Sequence, residues 1–252
     1  MLRVAGPATE AAADRPESRA LMNLDILRSN WLHVHERIAE ACRRSGREAG
    51  SVRLVAVTKR HPVEWVPPLV ALGATDLGEN YPQELWAKVE ALPDLHVNWH
   101  LIGHLQTNKA KKTFRLVRMI RSVDSLKLLR VLDELARGAT NPPPVCLQVN
   151  TSEEDAKHGW SAESLLRDAE EIAACRGIPV AGLMTMAALG TDAESARPSF
   201  VALRELRDSL RARTGLPLPE LSMGMSGDFE TAIEEGATLV RIGSALFEGV
   251  ES

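Results

Sequence analysis

Eight short apolar segments, each ending in small or polar residues and followed by a helical stretch, predict an α/β fold. The architecture they suggest is a single (β/α)8 TIM barrel with one extra helix at its amino end. Three observations carry that prediction. The first of them, Val52–Val57, is β-branched and nearly continuous, as strands covered on both faces are. The stretches between them suit right-handed crossovers between parallel strands. Eight such units in about 200 residues make a compact barrel. A doubly wound open sheet is the alternative.

The chain is taken as one domain over residues 22–252, preceded by a disordered tail over residues 1–21 that is rich in Ala, Glu, Asp, Arg and Pro. Asn23 is placed as the cap of a helix running to about Ser45, stopped by Gly46. Leu27, Trp31, Val34, Ile38 and Cys42 give that helix its apolar stripe. His33 and His35 beside the stripe are read as surface or packing residues. Strand one, Val52–Val57, ends at Lys59, and a helix spans Val63–Leu72. Strand two is Ala74–Leu77 with Gly78-Glu79-Asn80 at its end, before a helix over Tyr81–Leu92. Strand three is Val97–Ile102, ending in Gly103-His104, before a helix over Gln106–Phe114. Strand four is Arg118–Val123 and ends at Asp124; its helix is Ser125–Arg137. Strand five, Val145–Val149, leads through Asn150-Thr151 to a helix over Ala162–Cys175. Strand six, Val180–Met184, ends in Thr185-Met186 and precedes a helix over Ala193–Arg213. Strand seven, Glu220–Met223, runs into Gly224-Met225-Ser226, and Asp228 caps a helix to Glu235. Strand eight, Thr238–Ile242, ends in Gly243-Ser244, with a last helical turn over Ala245–Phe247.

Bulk properties narrow the function classes. A net charge of −4 gives no global argument for affinity to nucleic acid or anionic membrane. No apolar run approaches the roughly 18 residues of a spanning helix. Cys42, Cys146 and Cys175 are odd in number and lack a Cys-x-x-Cys, so no disulfide framework or zinc ribbon is indicated and a reducing cytoplasm is expected. Lys109, Lys111, Lys112, Arg115, Arg118, Arg121, Lys127 and Arg130 form a basic stretch with few aromatics among them. It is read as a solvated face rather than a nucleic-acid surface.

In a barrel, ligands bind where the strands end. Lys59, Asn80, His104, Asn150, Met184, Ser226 and Arg241 with Gly243 all fall there. A strand-end lysine at an apolar mouth is expected to be partly desolvated, which frees its amine to form a Schiff base with a carbonyl; the alternative, favoured from this stretch taken alone, is a Lys59 that snorkels to solvent. Two glycines flank Ser226 ahead of a helix, and Gly243-Ser244 precedes another; loops after strands seven and eight commonly hold phosphate in such barrels. An amine facing two phosphate loops points to a phosphorylated carbonyl, of which pyridoxal 5′-phosphate (PLP) is the obvious example. If Arg241 faces the pyridine nitrogen, a permanent cation keeps that nitrogen unprotonated and weakens the electron sink. A carboxylate partner for Arg241 inside the barrel is the competing expectation.

The sequence resembles the pyridoxal phosphate homeostasis protein family, the YggS/PROSC group. The matching stretches are Ala56-Val57-Thr58-Lys59, Gly78-Glu79-Asn80-Tyr81-x-Gln83-Glu84, Trp99-His100-x-Ile102-Gly103-x-Leu105-Gln106-x-Asn108-Lys109, Gly182-Leu183-Met184, Leu221-Ser222-Met223-Gly224-Met225-Ser226-x-Asp228 and Val240-Arg241-Ile242-Gly243. They span about residues 50–249, with the tail outside them. The resemblance implies a barrel similar to the amino-terminal domain of alanine racemase, with PLP as the cofactor. It implies that Lys59 carries PLP as a Schiff base, that Ser226, Gly243 and Ser244 hold the phosphate, that Arg241 faces the ring nitrogen and that Asn80 lines the ring; Met184 and Met225 complete the expected cofactor-binding set. The family pattern usually has threonine at position 244, and serine keeps the hydroxyl. Lys157 matches a family lysine linked to PLP binding or hand-over, against the plain reading of a solvated loop lysine.

Two functions follow as alternatives. One is a non-enzymatic holder that buffers PLP and passes it to apoenzymes, as a cytoplasmic monomer without metal. The other is an amino-acid racemase or related PLP enzyme. Racemisation needs a base on each face of the substrate carbanion. In alanine racemase the second base is a tyrosine from a second domain, which this chain is expected to lack because it ends soon after strand eight. Tyr81 is its sole tyrosine, and nothing in the sequence positions His104 as a substitute. The holder is therefore the expectation. A Schiff-base aldolase would use a strand-end lysine without a pyridine-facing arginine.

Overall fold

The computed structural model describes residues 16–151, 158–188 and 192–251. Helix α1, Pro16–Arg44, leads into β1, Arg53–Val57. A short 3-10 turn, Val63–Trp65, opens α2, Val66–Ala71, because Pro67 and Pro68 are tolerated only in a first helical turn. There follow β2 (Asp76–Glu79), α3 (Pro82–Ala91), β3 (Asn98–Leu101), α4 (Thr107–Phe114), β4 (Met119–Val123), α5 (Leu126–Ala136) and β5 (Val145–Gln148). The chain continues through α6 (Ala162–Arg167), α7 (Ala169–Ala174), β6 (Val180–Met184), α8 (Ala193–Thr214), β7 (Glu220–Ser222), α9 (Phe229–Glu234) and β8 (Leu239–Ile242). The eight parallel strands pair in sequence order and close, so the barrel is the observed fold and the open sheet is excluded. The closing seam joins β1 to β8, with Val55 opposite Arg241 and Ala56 opposite Ile242.

Three local expectations differ from what forms. Helix α1 starts at Pro16, ahead of Asn23, and residues 1–15 of the expected tail lie outside the described residues. Asn23 is not a cap: its amide nitrogen donates to Glu251 O at 3.0 Å and its oxygen accepts from Glu251 N at 3.2 Å, tying the helix to the far end of the chain. The helix expected over Ala162–Cys175 breaks at Asp168, whose carboxylate accepts from the Trp160 indole at 3.0 Å.

Most of the core lies between the barrel and its helices, in one cluster that joins Leu27, Trp31, Val34, Ile38 and Cys42 of α1 with residues such as Leu77, Leu101, Leu203 and Phe229. The three cysteines are buried and unpaired, as expected. A second, small apolar cluster of Val55, Met119, Cys146, Met184 and Leu239 occupies part of the lumen. The rest of the lumen is polar, which sets up the site. Among the described residues no helix is long and apolar enough to cross a membrane.

Close strand contact makes one glycine a test of the barrel. A Cβ at Gly182 would lie 1.9 Å from Glu220 O, so β6 and β7 would have to part. Gly182→Ala is expected to cost about 1–3 kcal/mol, the range for overpacking. Urea unfolding should show a lower midpoint at unchanged slope; a midpoint equal to that of the parent protein would contradict the close approach.

Candidate functional site

The polar lumen is built from alternate positions on five strands. Asp76, His100, Arg121, Ser222 and Arg241 are all buried. Asp76 Oδ1 lies 2.7 Å from His100 Nε2, and Arg121 reaches His100 Nδ1 through both Nε (3.3 Å) and Nη2 (3.1 Å). Arg121 Nη1 then donates to Ser222 Oγ at 3.3 Å. Strands β4 and β7 are not neighbours, so that bond crosses the barrel interior. Arg241 completes the chain by donating to Ser222 O at 2.9 Å, Ser222 Oγ at 2.8 Å and Thr185 O at 2.9 Å.

Protonation in this network is fixed by burial and charge. Burial and the Arg121 cation push His100 down to about 4, against the pull of Asp76. Its neutral ring therefore donates Nε2–H to Asp76 and accepts at Nδ1 from Arg121. Burial alone would raise Asp76, but hydrogen bonds from His100 and Thr75 outweigh it and hold the carboxyl at about 2. Burial lowers both arginines to about 10, and Arg121 adds to the lowering of Arg241, yet both stay cationic at neutral pH. Cys146, buried beside them, is pushed up to about 12 and stays a thiol. Two cations against one carboxylate leave a positively charged floor beneath the mouth. Among the described residues no carboxylate forms an ion pair with Arg241, which answers the competing expectation for it.

The sequence-predicted residues gather on the rim above this floor. Lys59 lies just past β1, with Arg60 at φ 65°, a left-handed conformation that non-glycine residues seldom adopt. Behind it Lys88 Nζ donates to Thr58 O at 2.8 Å and to Glu79 Oε1 at 2.6 Å, and Thr58 Oγ1 donates to the same carboxylate oxygen at 2.5 Å. This buried pair fixes the backbone immediately before Lys59, and His61 stacks on Phe247 at 3.7 Å from the neighbouring rim segment. Lys59 itself is exposed, so protein atoms do not supply the desolvation expected of it. Ser226 Oγ accepts from Ala245 N at 3.2 Å, which joins the loops after β7 and β8. Arg241 N donates to Gly224 O at 3.0 Å, and Asp228 Oδ1 accepts from Met225 N at 2.6 Å, closing the same loop. Gly224 has φ 92°, and a Cβ there would lie 2.7 Å from Ala232 Cβ. Gly243 and Met225 are half-buried and Ser244 is exposed at this rim. Asn80, half-buried after β2, is approached so closely that a Cβ at Gly103 would sit 2.1 Å from its carbonyl oxygen. Met184 is fully buried in the lumen cluster, beneath the rim.

Two sequence readings need correction or limit. Arg121 does not belong to the solvated basic face; it is fully buried in the lumen. Of that stretch, Lys112 pairs with Glu90 and lies 4.6 Å from the Trp86 ring centre, and Arg130 pairs with Glu171. Lys157 lies outside the described residues. Sequence reasoning gave no role to Asp76, His100, Glu79 or Lys88. The available signal was a polar residue inside an otherwise apolar strand, as in Trp99-His100-Leu101 and Ile120-Arg121-Ser122.

Comparison with known proteins gives a consistent picture. Residues 23–250 match the family model described as alanine racemase, N-terminal domain. The pyridoxal phosphate homeostasis protein of Aquifex aeolicus is 42% identical over 214 residues, covering 85% of this chain and 94% of that protein. PipY of Synechococcus elongatus, solved with PLP bound, has a TM-score of 0.76 at 38% identity, covering 85% of this chain and 99% of that one. Alanine racemase of Corynebacterium glutamicum has a TM-score of 0.69 at 19% identity, covering 88% of this chain and 60% of that one, a likeness of fold.

The lumen network predicts an acid-sensitive fold. Native His100 binds its proton only near pH 4, whereas an unfolded imidazole binds one near 6.5. The unfolded chain therefore holds more protons between those values, and stability falls as pH drops from 6.5 to 4, by about 3 kcal/mol in all. Asp76, at about 2 rather than 3.8, carries the loss to lower pH, since its contribution is present above 3.8 and disappears as pH falls towards 2. Denaturant midpoints at pH 7 and pH 4.5 should differ more in the parent protein than in His100→Gln; equal differences would remove His100 as the cause.

Proposed function

The chain belongs to the pyridoxal phosphate homeostasis protein family, and we propose that it holds PLP at the carboxyl-terminal mouth of its barrel, attached to Lys59. One observation carries this reading: an exposed primary amine, a buried guanidinium and a hydroxyl-bearing double loop share the ends of three adjacent strands, β1, β8 and β7. That donor set fits the group. Bound PLP supplies an aldehyde that condenses with an amine, a phosphate dianion and a ring nitrogen that accepts a hydrogen bond. Lys59 offers the amine. Ser226, Gly243 and Ser244 offer hydroxyls and backbone N–H groups to the phosphate, and Met225 packs beside them. Arg241, a cation tied to Ser222 and Thr185, is assigned to the ring nitrogen; Asn80 borders the ring, and Met184 belongs to the surface beneath it.

We further read the chain as a cytoplasmic, monomeric holder of the cofactor that buffers it and hands it to apoenzymes, without turning over amino acids itself. The name borne by its full-length relative in Aquifex supports homeostasis as the role. The racemase likeness is one of fold and supports no activity. An arginine at the ring nitrogen also keeps that nitrogen unprotonated and limits its pull on electrons.

Protein incubated with PLP should absorb visible light, and borohydride should then leave the reduced cofactor's mass on the peptide containing Lys59. Lys59→Ala should lose both signals and keep its melting temperature, because the side chain is exposed. A colourless parent protein would sink the reading. L-alanine or L-serine should give no turnover above that of free PLP; racemisation or transamination well above it would favour the enzyme alternative.

A further inference from the structure

Across the mouth from β7, β8 and β1, the ends of β3, β4 and β5 carry a second cluster of chemistry-bearing side chains. His104 follows β3, Asp124 follows β4, and His158 stands at the end of the loop that follows β5. His104 Nδ1 lies 2.7 Å from Asp124 Oδ2, and the two imidazoles stack with centroids 4.6 Å apart at 18°. One donor atom from each of the three residues falls within 4.8 Å of the other two. We propose that these three side chains form a divalent-metal site at the barrel mouth, suited to imidazole-preferring cations of the Zn2+ class. This inference stands apart from whatever Lys59 holds.

The donor set selects the metal. Two imidazoles and one carboxylate make a three-protein-ligand site for Zn2+ with a further position for water or another ligand. Mg2+ and Ca2+ favour all-oxygen shells and gain little here. Tetrahedral ligation at about 2.0–2.1 Å puts donors roughly 3.3 Å apart. The ring nitrogen and carboxylate oxygen at 2.7 Å must open slightly, and His158 must swing inward, both within side-chain rotation.

The backbone beneath these side chains is held more firmly than their exposure suggests. Ser122 Oγ donates to Gly103 O at 2.5 Å, which anchors the residue before His104 to β4. Gln148 Nε2 donates to His158 O at 2.8 Å. Trp160 N donates to Gln148 O at 3.0 Å and Asn150 N to Trp160 O at 2.9 Å, forming a parallel bridge beside His158. Gly159, at φ 121°, allows this: a Cβ would lie 2.7 Å from Gln148 O. Asp124 is mostly buried, with its side chain 9% exposed. Residues 158–160 are thus tied to the end of β5 at the point that delivers an imidazole to the other two donors.

The test uses full-length, tag-free protein titrated with Zn2+ alone by calorimetry. One Zn2+ should bind per chain, and equally in Lys59→Ala, which separates this site from the cofactor site. His104→Ala, His158→Ala and Asp124→Asn should each weaken binding about tenfold or more. His158 is exposed, so its variant keeps the fold and remains decisive should Asp124→Asn unfold. Absence of saturable binding, or unchanged affinity in the His104 and His158 variants, would overturn the proposal and assign any residual binding to surface histidines such as His33 and His35.

Discussion

Two arginine cations share the inside of this barrel, and the rest of the mouth depends on how they are satisfied. Barrels of this kind are usually filled by layers of branched apolar side chains. Here β4 and β8 instead send Arg121 and Arg241 into the lumen, where an unpaired charge would be costly. The solution is a chain of donors and acceptors from Asp76 through His100 and Arg121 to Ser222, shared with Arg241. Only one carboxylate belongs to it. The remainder of the charge is met by neutral acceptors, the His100 ring nitrogen, the Ser222 hydroxyl and carbonyl, and the Thr185 carbonyl. The lumen therefore stays positive, and an anionic ligand at the mouth would complement it.

A second buried ion pair does a different job. Glu79 and Lys88 face the helical layer, not the lumen, and Lys88 reaches the carbonyl of Thr58. Removing one partner of such a pair typically costs about 3–5 kcal/mol, because the other is left buried and uncompensated. What the pair contributes here is placement: it holds the last residue of the β1 edge before Lys59, and the left-handed Arg60 then turns the chain away. The amine thus projects from a rigid base although its own side chain is free in solvent.

The fold was legible because eight short, mostly apolar segments bounded by small or polar residues alternate with helical stretches. The rim residues were legible for the same reason: once strand ends are placed, Lys59, Asn80, Ser226 and Gly243 follow. The lumen network was not. A polar residue within a strand, such as Arg121, reads as solvent-facing unless the inner and outer faces are already known, and eight strands must close before either face exists. Arg121 also sits in a run of seven other basic residues, which disguised it. Asn23 misled in the opposite way: an asparagine near a helix start resembles a cap, but its partner is Glu251, far along the chain.

The exposure of Lys59 bears on what kind of protein this is. A catalyst that stabilises charged intermediates gains from excluding water from the reacting centre. A holder that must load and release its cargo gains from an amine that solvent and partners can reach. In this barrel the permanent cations are buried and the Lys59 amine is not, so the preorganised electrostatics lie in the floor while the primary amine stays at the surface. Protein atoms do not desolvate Lys59, as for a lysine that snorkels to solvent, and this favours the holder reading: the positive floor would complement an anionic ligand, and an attachment formed at an exposed amine would stay open to reversal.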